Sequence, residues 1–293
     1  MQPASNLLYN RGTMRKAMTR TMLGAFAATV LAASAGVVVY TGRGPEPVPE
    51  AVEEVLPLPP ESPRLVDDPD YLRCLEQMRD DAQAARSFAE SWEASGHGGE
   101  GARHCLALSM LALGEQEQAA PRLETLAARS SAGAAARAAV YGQAAQAWIA
   151  AGQPMRAYGA VTLALALTPS DPDLLLDRAI AAGALGRFAE SLADSSRSLE
   201  MDNARAEAWV FRAAALRHLD RGQEAMRDVE HALSLDPENP EALLERGILL
   251  QLNGDLEGAR RDWERALQLA PDTATADLAQ QNLALSEAGP TRR

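Results

Sequence analysis

AEAWVFRAAALRHLDRGQEAMRDVEHALSLDP, residues 206–237, carries the pattern that decides the fold. On either side of Asp220–Gly222 lies a stretch of about a dozen residues whose apolar positions recur at helical spacing, and Pro237 stops the second one. Small residues stand at the eighth, twentieth and twenty-seventh places: Ala213, Ala225 and Ala232. Moving outward by 34 residues finds the same spelling in 138–171 (Ala145, Ala157, Ala164), 172–205 (Ala179, Ser191, Ser198) and 240–273 (Gly247, Ala259, Ala266). The thirty-second place reads Pro169, Asn203, Pro237 and Pro271, so every unit closes on a helix breaker or a turn former. Two helices joined by a tight turn approach closely only where small side chains meet, which accounts for the alanines. Larger residues between them, such as Leu216, Val229 and Leu233 or Leu250, Trp263 and Leu267, make an apolar stripe that one helix pair cannot bury. Successive pairs must therefore stack.

With Trp209 at the fourth place of its best copy, this spelling resembles the tetratricopeptide repeat (TPR) family. The resemblance implies an all-α, right-handed superhelical solenoid of antiparallel helix pairs with one concave groove. Full units are expected at 138–171, 172–205, 206–239 and 240–273. A fifth occupies 100–137, with Ala107, Gly114 and Ala119 in place, Leu126 where a small residue is expected, and four extra residues before the next unit. Residues 70–99 read as a degenerate pair: a shortened helix around Tyr71–Met78, then Asp81–Ser95 with Ala84 and Phe88 at the expected places. Within 274–293, Ala274–Glu287 sets Leu278, Leu283 and Leu285 among Gln280, Gln281 and Asn282, as a capping helix does.

The first forty residues differ in kind. A basic segment, 1–21, carries Arg11, Arg15, Lys16 and Arg20 and precedes an uncharged run at 22–40, long enough to cross a hydrocarbon core. Two readings compete. Ala33-Ser34-Ala35 is an A-x-A site that permits cleavage of a signal peptide, whereas Val37–Val39 prolong the apolar run past it, as in an uncleaved anchor, the reading favoured here. No cysteine near that site allows a lipid tail. Residues 41–69 hold eight prolines among Glu and Val, a tether that reaches about 80–90 Å when extended. Removing the four N-terminal charges from 28 basic residues leaves 24 against 40 acidic, a net charge of −16 for 41–293. Positive residues stay inside, so the repeats are expected outside the cytoplasm: anchored to the inner membrane on the periplasmic side, or soluble there or secreted after cleavage near Ala35.

Little chemistry is spelled in the chain. Gly96, Gly98 and Gly101 form G-x-G-x-x-G but follow a helix rather than a strand, so they read as a turn. Lys16 is the only lysine, which excludes a phosphate-binding G-K-[ST] loop; His97, His104, His218 and His231 share no triad or metal spacing. Neither catalysis, a cofactor nor a metal is expected, and the acidic balance disfavours nucleic acid. Cys74 and Cys105 fall on first helices of successive units, which pack side by side; they form either a disulfide or two buried thiols.

Binding remains. In TPR relatives the groove is lined from the second, fifth, sixth, ninth, twelfth and thirteenth places of each first helix. Carried over, these places include Leu108, Gln146, Ile149, Leu176, Asp177, Ile180, Val210, Phe211, Arg217, Leu244, Glu245 and Ile248. This row is apolar with acidic punctuation and lacks most of the cations of carboxylate-clamping relatives. The resemblance thus implies a non-enzymatic scaffold for a peptide or partner subunit during assembly of an envelope complex, or alternatively a holdase-like chaperone for exported chains.

Overall fold

A computed structural model describes residues 65–288. Those residues form thirteen α-helices and no strand: α1 (Pro69–Asp80), α2 (Ala82–Ala94), α3 (Gly99–Ala112), α4 (Gln116–Arg129), α5 (Ala134–Ala150), α6 (Pro154–Leu167), α7 (Pro172–Ala184), α8 (Phe188–Met201), α9 (Ala206–His218), α10 (Gly222–Leu235), α11 (Pro240–Leu252), α12 (Leu256–Leu269) and α13 (Ala274–Ala288). No helix among them is long and apolar enough to cross a membrane. The run at 22–40, the basic segment before it and most of the Pro-rich tether lie outside the described residues.

Local chemistry sets the helix ends. Asp68, Asp171, Asn239 and Asp255 accept backbone N–H groups at N-termini, and Pro69, Pro154, Pro172 and Pro240 occupy first-turn positions where no donor is lost. Within each pair from α3 onward, one turn is used five times. Its left-handed residue is Gly114, Gly152, Gly186 or Gly254, and once Asp220 at φ 59°. The next residue then donates to the carbonyl five positions back, as in Arg221 to Leu216 at 2.9 Å.

Consecutive helices pack as hairpins, and first helices touch their successors along α5, α7, α9, α11 and α13. Every small residue of the 34-residue spelling is buried. Gly247 shows why the exception at the eighth place is glycine. A Cβ there would come within 2.3 Å of Nε1 of Trp263, which is fully buried at a place held by Val161, Ser195 and Val229 in the other units.

Charged joins run through the same units. Arg178, Arg212 and Arg246 each donate two hydrogen bonds, at 2.6–2.8 Å, to Asp194, Asp228 and Asp262 respectively. These are the seventh and twenty-third places of three successive units, so one bidentate ion pair joins the two helices each time. In 138–171 the same places hold Ala144 and Ala160, both buried.

The N-terminal pair departs from the expected register. α2 buries Ala85, Ala89 and Trp92, while Ala84 and Phe88 are only half-buried. The joint explains the shift: Asp81 alone, extended at φ −149°, both ends α1 and caps α2, where later pairs use a left-handed turn. Leu65 and Val66, read from sequence as tether, pack against the central core, and Pro69 opens α1. The four extra residues before 138 lengthen α5 to 17 residues, with Arg137 donating to the Ala127 carbonyl at the end of α4. Gly96 and Gly98 lie in the α2–α3 turn, and Gly101 lies in the first turn of α3, where it packs on the Trp92 ring. Cys74 and Cys105 are fully buried with Cα atoms 6.3 Å apart, a separation that a disulfide spans.

Candidate partner-binding cleft

Three first helices, α7, α9 and α11, lie in a row, and α13 packs beside α11 where another first helix would stand. Between them opens a cleft of about 570 Å³. Ile180, Phe211 and Ile248, one from each first helix, face it together with Leu278 and Leu285 of α13. Small residues such as Gly183, Ala184 and Ala214 keep the floor low.

One end of the cleft is polar. Arg217 donates to both carboxylate oxygens of Glu245 at 2.6 and 3.2 Å, so the single cation on this wall is committed to the next repeat. His218 stacks flat on Phe188 with ring centroids 4.0 Å apart. Burial lowers its pKa, and neighbouring Arg217 lowers it further, which favours the neutral ring. Glu241 lies in the first turn of α11 and accepts at Oε1 from the Thr275 hydroxyl of α13, at 3.1 Å. Its Oε2 is shielded from solvent and has no hydrogen-bond partner. Burial pushes this carboxyl above its ordinary range; its own backbone N–H and Thr275 pull it down, while Glu207 and Asp236 push it up.

Seven residues named from the sequence line this cleft: Ile180, Val210, Phe211, Arg217, Leu244, Glu245 and Ile248. The other five do not. Leu176 is wholly buried and Ile149 nearly so, within a core cluster that runs on to Phe211; carrying places over by number ignores that successive first helices cover them. Asp177 is buried and accepts from exposed Gln146 at 3.1 Å, a link between α5 and α7 away from the cleft. Leu108 is half-buried on α3, also outside the cleft. Even at the cleft, Ile180 and Phe211 are only 4% and 7% exposed, so their rings and methyls serve the core first. Sequence reasoning missed Glu241, Phe188 and His218, and it read α13 as a cap without seeing that the cap also lines the cleft. Glu241 was within reach, since it holds the second place of its unit.

The tetratricopeptide repeat profile matches residues 211–284, which include most of α9 through α13. Residues 211–284 are thus tetratricopeptide repeats. Among solved structures, the APC/C hetero-tetramer Cut9–Hcn1 aligns at 17% identity and TM-score 0.58, over 73% of this chain but 42% of that one. At such identity the likeness concerns the fold. MamA from Desulfovibrio magneticus RS-1 aligns at 17% identity (58% of this chain, 96% of that one, TM-score 0.49). YrrB, described as a TPR protein with an unusual peptide-binding site, aligns at 18% (73% and 98%, TM-score 0.47). No curated protein sequence matches. Among the described residues, no three His, Cys, Asp or Glu side chains gather as a metal site.

Proposed function

We propose that this TPR protein is a non-enzymatic scaffold that holds a peptide or partner subunit in the cleft between α7, α9, α11 and α13, on the outer side of a bacterial inner membrane, during assembly of an envelope complex. The observation that carries the reading is the cleft's apolar wall. Ile248 and Leu278 are half-exposed and Leu285 is 61% exposed, so these side chains remain open to a partner where Ile180 and Phe211 do not. The polar groups there suit contact rather than catalysis: one ion pair already closed, a neutral histidine held against Phe188, and a shielded carboxyl. The envelope location rests on the charge asymmetry around 22–40.

Crosslinking in native membranes followed by mass spectrometry should recover one stoichiometric partner; a spread of unfolded clients would instead mark a holdase. The partner should be lost from an Ile248→Asp/Leu285→Asp variant whose circular dichroism and Tm match the parent. A folded double variant that keeps its partner would defeat the cleft reading. In the same material, Cys74 and Cys105 are proposed to be bonded, tying α1 to α3. Peptide mapping without reductant should find them linked, and a free thiol at either position would contradict the bond.

A further inference from the structure

α13 is the least supported wall of the cleft. It stands in the place of a first helix and packs on α11 and α12, with no second helix after it among the described residues. The Thr275 hydroxyl ties it to α11 at Oε1 of Glu241, whose other oxygen, Oε2, is shielded from solvent and has no hydrogen-bond partner among the described residues. A buried carboxylate oxygen without a donor is costly, whereas a protonated carboxyl in the same place carries no charge to desolvate. Two acidic groups act on Glu241: Glu207 from the start of α9 and Asp236, which caps the end of α10. From α13 the titratable groups are Asp277, exposed in the first turn, and Glu287, which faces Arg260 of α12 at 3.8 Å. On α11, Glu245 is closed by Arg217 and Arg246 by Asp262.

We propose that docking of α13, and with it the outer wall of the cleft, is coupled to uptake of one proton by Glu241. The proton comes from solvent and neutralises the carboxyl as the helix closes over it. When α13 lifts, the carboxyl regains water and can ionise beside Glu207 and Asp236. The pKa is higher with the helix docked than with it lifted, because burial raises it. Docking is therefore fully supported below the ordinary carboxylate pKa and weakens as pH rises through the docked-state value. The coupling makes the wall of the proposed binding cleft adjustable; that consequence rests on the cleft reading, but the coupling can be measured without a partner.

Hydrogen exchange of the full chain, followed at several pH values from about 4.5 to 8 and corrected for intrinsic rates, reads the coupling directly, with α9–α10 amides as reference. Protection of the α13 amides should fall several-fold relative to the reference as pH rises. Glu241→Gln, an uncharged mimic of the acid, should hold protection high and flat across the range. Thr275→Val keeps the carboxyl and should lower protection at every pH while leaving the slope. Flat protection in the parent chain would overturn the proposal, as would a Glu241→Gln variant that loses protection as steeply as the parent. Partner capture does not enter this readout, so failure of the coupling and failure of the cleft are distinguishable.

Discussion

The unit 138–171 and the three that follow join the same pair of helices with opposite chemistry. In the first, Ala144 and Ala160 are both buried in an apolar core. In the others, an arginine at the seventh place closes in bidentate fashion on an aspartate at the twenty-third. The difference teaches that the fold requires a filled joint rather than a particular filling. The alanine joint gains from burial alone and is indifferent to partner. An ionic joint desolvates two charges, so it is tolerable only when both are present, and it selects the pairing of a first helix with its own second helix. Arg212 has a further support, stacking on Trp209 at 4.4 Å.

The largest expected effect comes from breaking one side of a joint. Asp228→Ala should cost about 3 kcal/mol in urea unfolding, because it strands a guanidinium that is mostly out of water. Replacing the pair together, as Arg212→Met/Asp228→Leu, should stay within about 1 kcal/mol of the parent, since an apolar joint is what 138–171 already uses. If the double variant is as unstable as the single one, the ionic joint is worth more than its apolar counterpart and the two chemistries are not interchangeable.

A second contrast is steric. The units 206–239 and 240–273 set Ala213 with Val229 and Gly247 with Trp263 at equivalent places. Gly247→Ala should destabilise by about 1–3 kcal/mol, since the new methyl meets the indole within a packed core. Adding Trp263→Val copies the neighbouring unit and should relieve the clash, giving a coupling of about 1 kcal/mol or more in a double-mutant cycle. Strictly additive costs would show that the indole does not dictate the glycine.

How far the sequence could be read follows from these same joints. Small residues every 34 positions and breakers at the thirty-second place repeat without tertiary context, so the hairpins and their stacking were legible. The Arg–Asp joints repeat with the same period and were passed over, because a charge on an amphipathic helix is read by default as facing solvent; Arg178, Arg212 and Arg246 at one place, with aspartates sixteen residues on, were signal enough. The cleft was harder to see. Leu176, Val210 and Leu244 hold the same place in three units, yet Leu176 lies wholly in the core and the other two border an opening that α13 helps to form. Place in a repeat does not report what the next helix covers. The tie between Thr275 and Glu241 depends on two side chains 34 residues apart at the end of the array, where the repeat spelling stops.

The smallest effect separates the turn of 206–239 from its neighbours. Four of the five left-handed turn positions are glycine, and the fifth is Asp220 at φ 59°. The backbone hydrogen bonds around it are those of the glycine turns, so the geometry is imposed by the helix pair and not by the residue. An L-residue there bears a steric cost of about 1–2 kcal/mol, less for Asp than for most, while glycine loses about 0.5–1 kcal/mol more in chain entropy on folding. Those terms nearly cancel, which is how an aspartate persists at this place. Asp220→Gly should therefore raise stability by only a few tenths of a kcal/mol, whereas Asp220→Ala should lower it by about 1 kcal/mol. Matched chemical denaturation of the two variants tests the sign of each. A destabilised glycine variant would mean that the Asp220 side chain supports the turn through a contact of its own, and that this repeat differs from the others in more than its spelling.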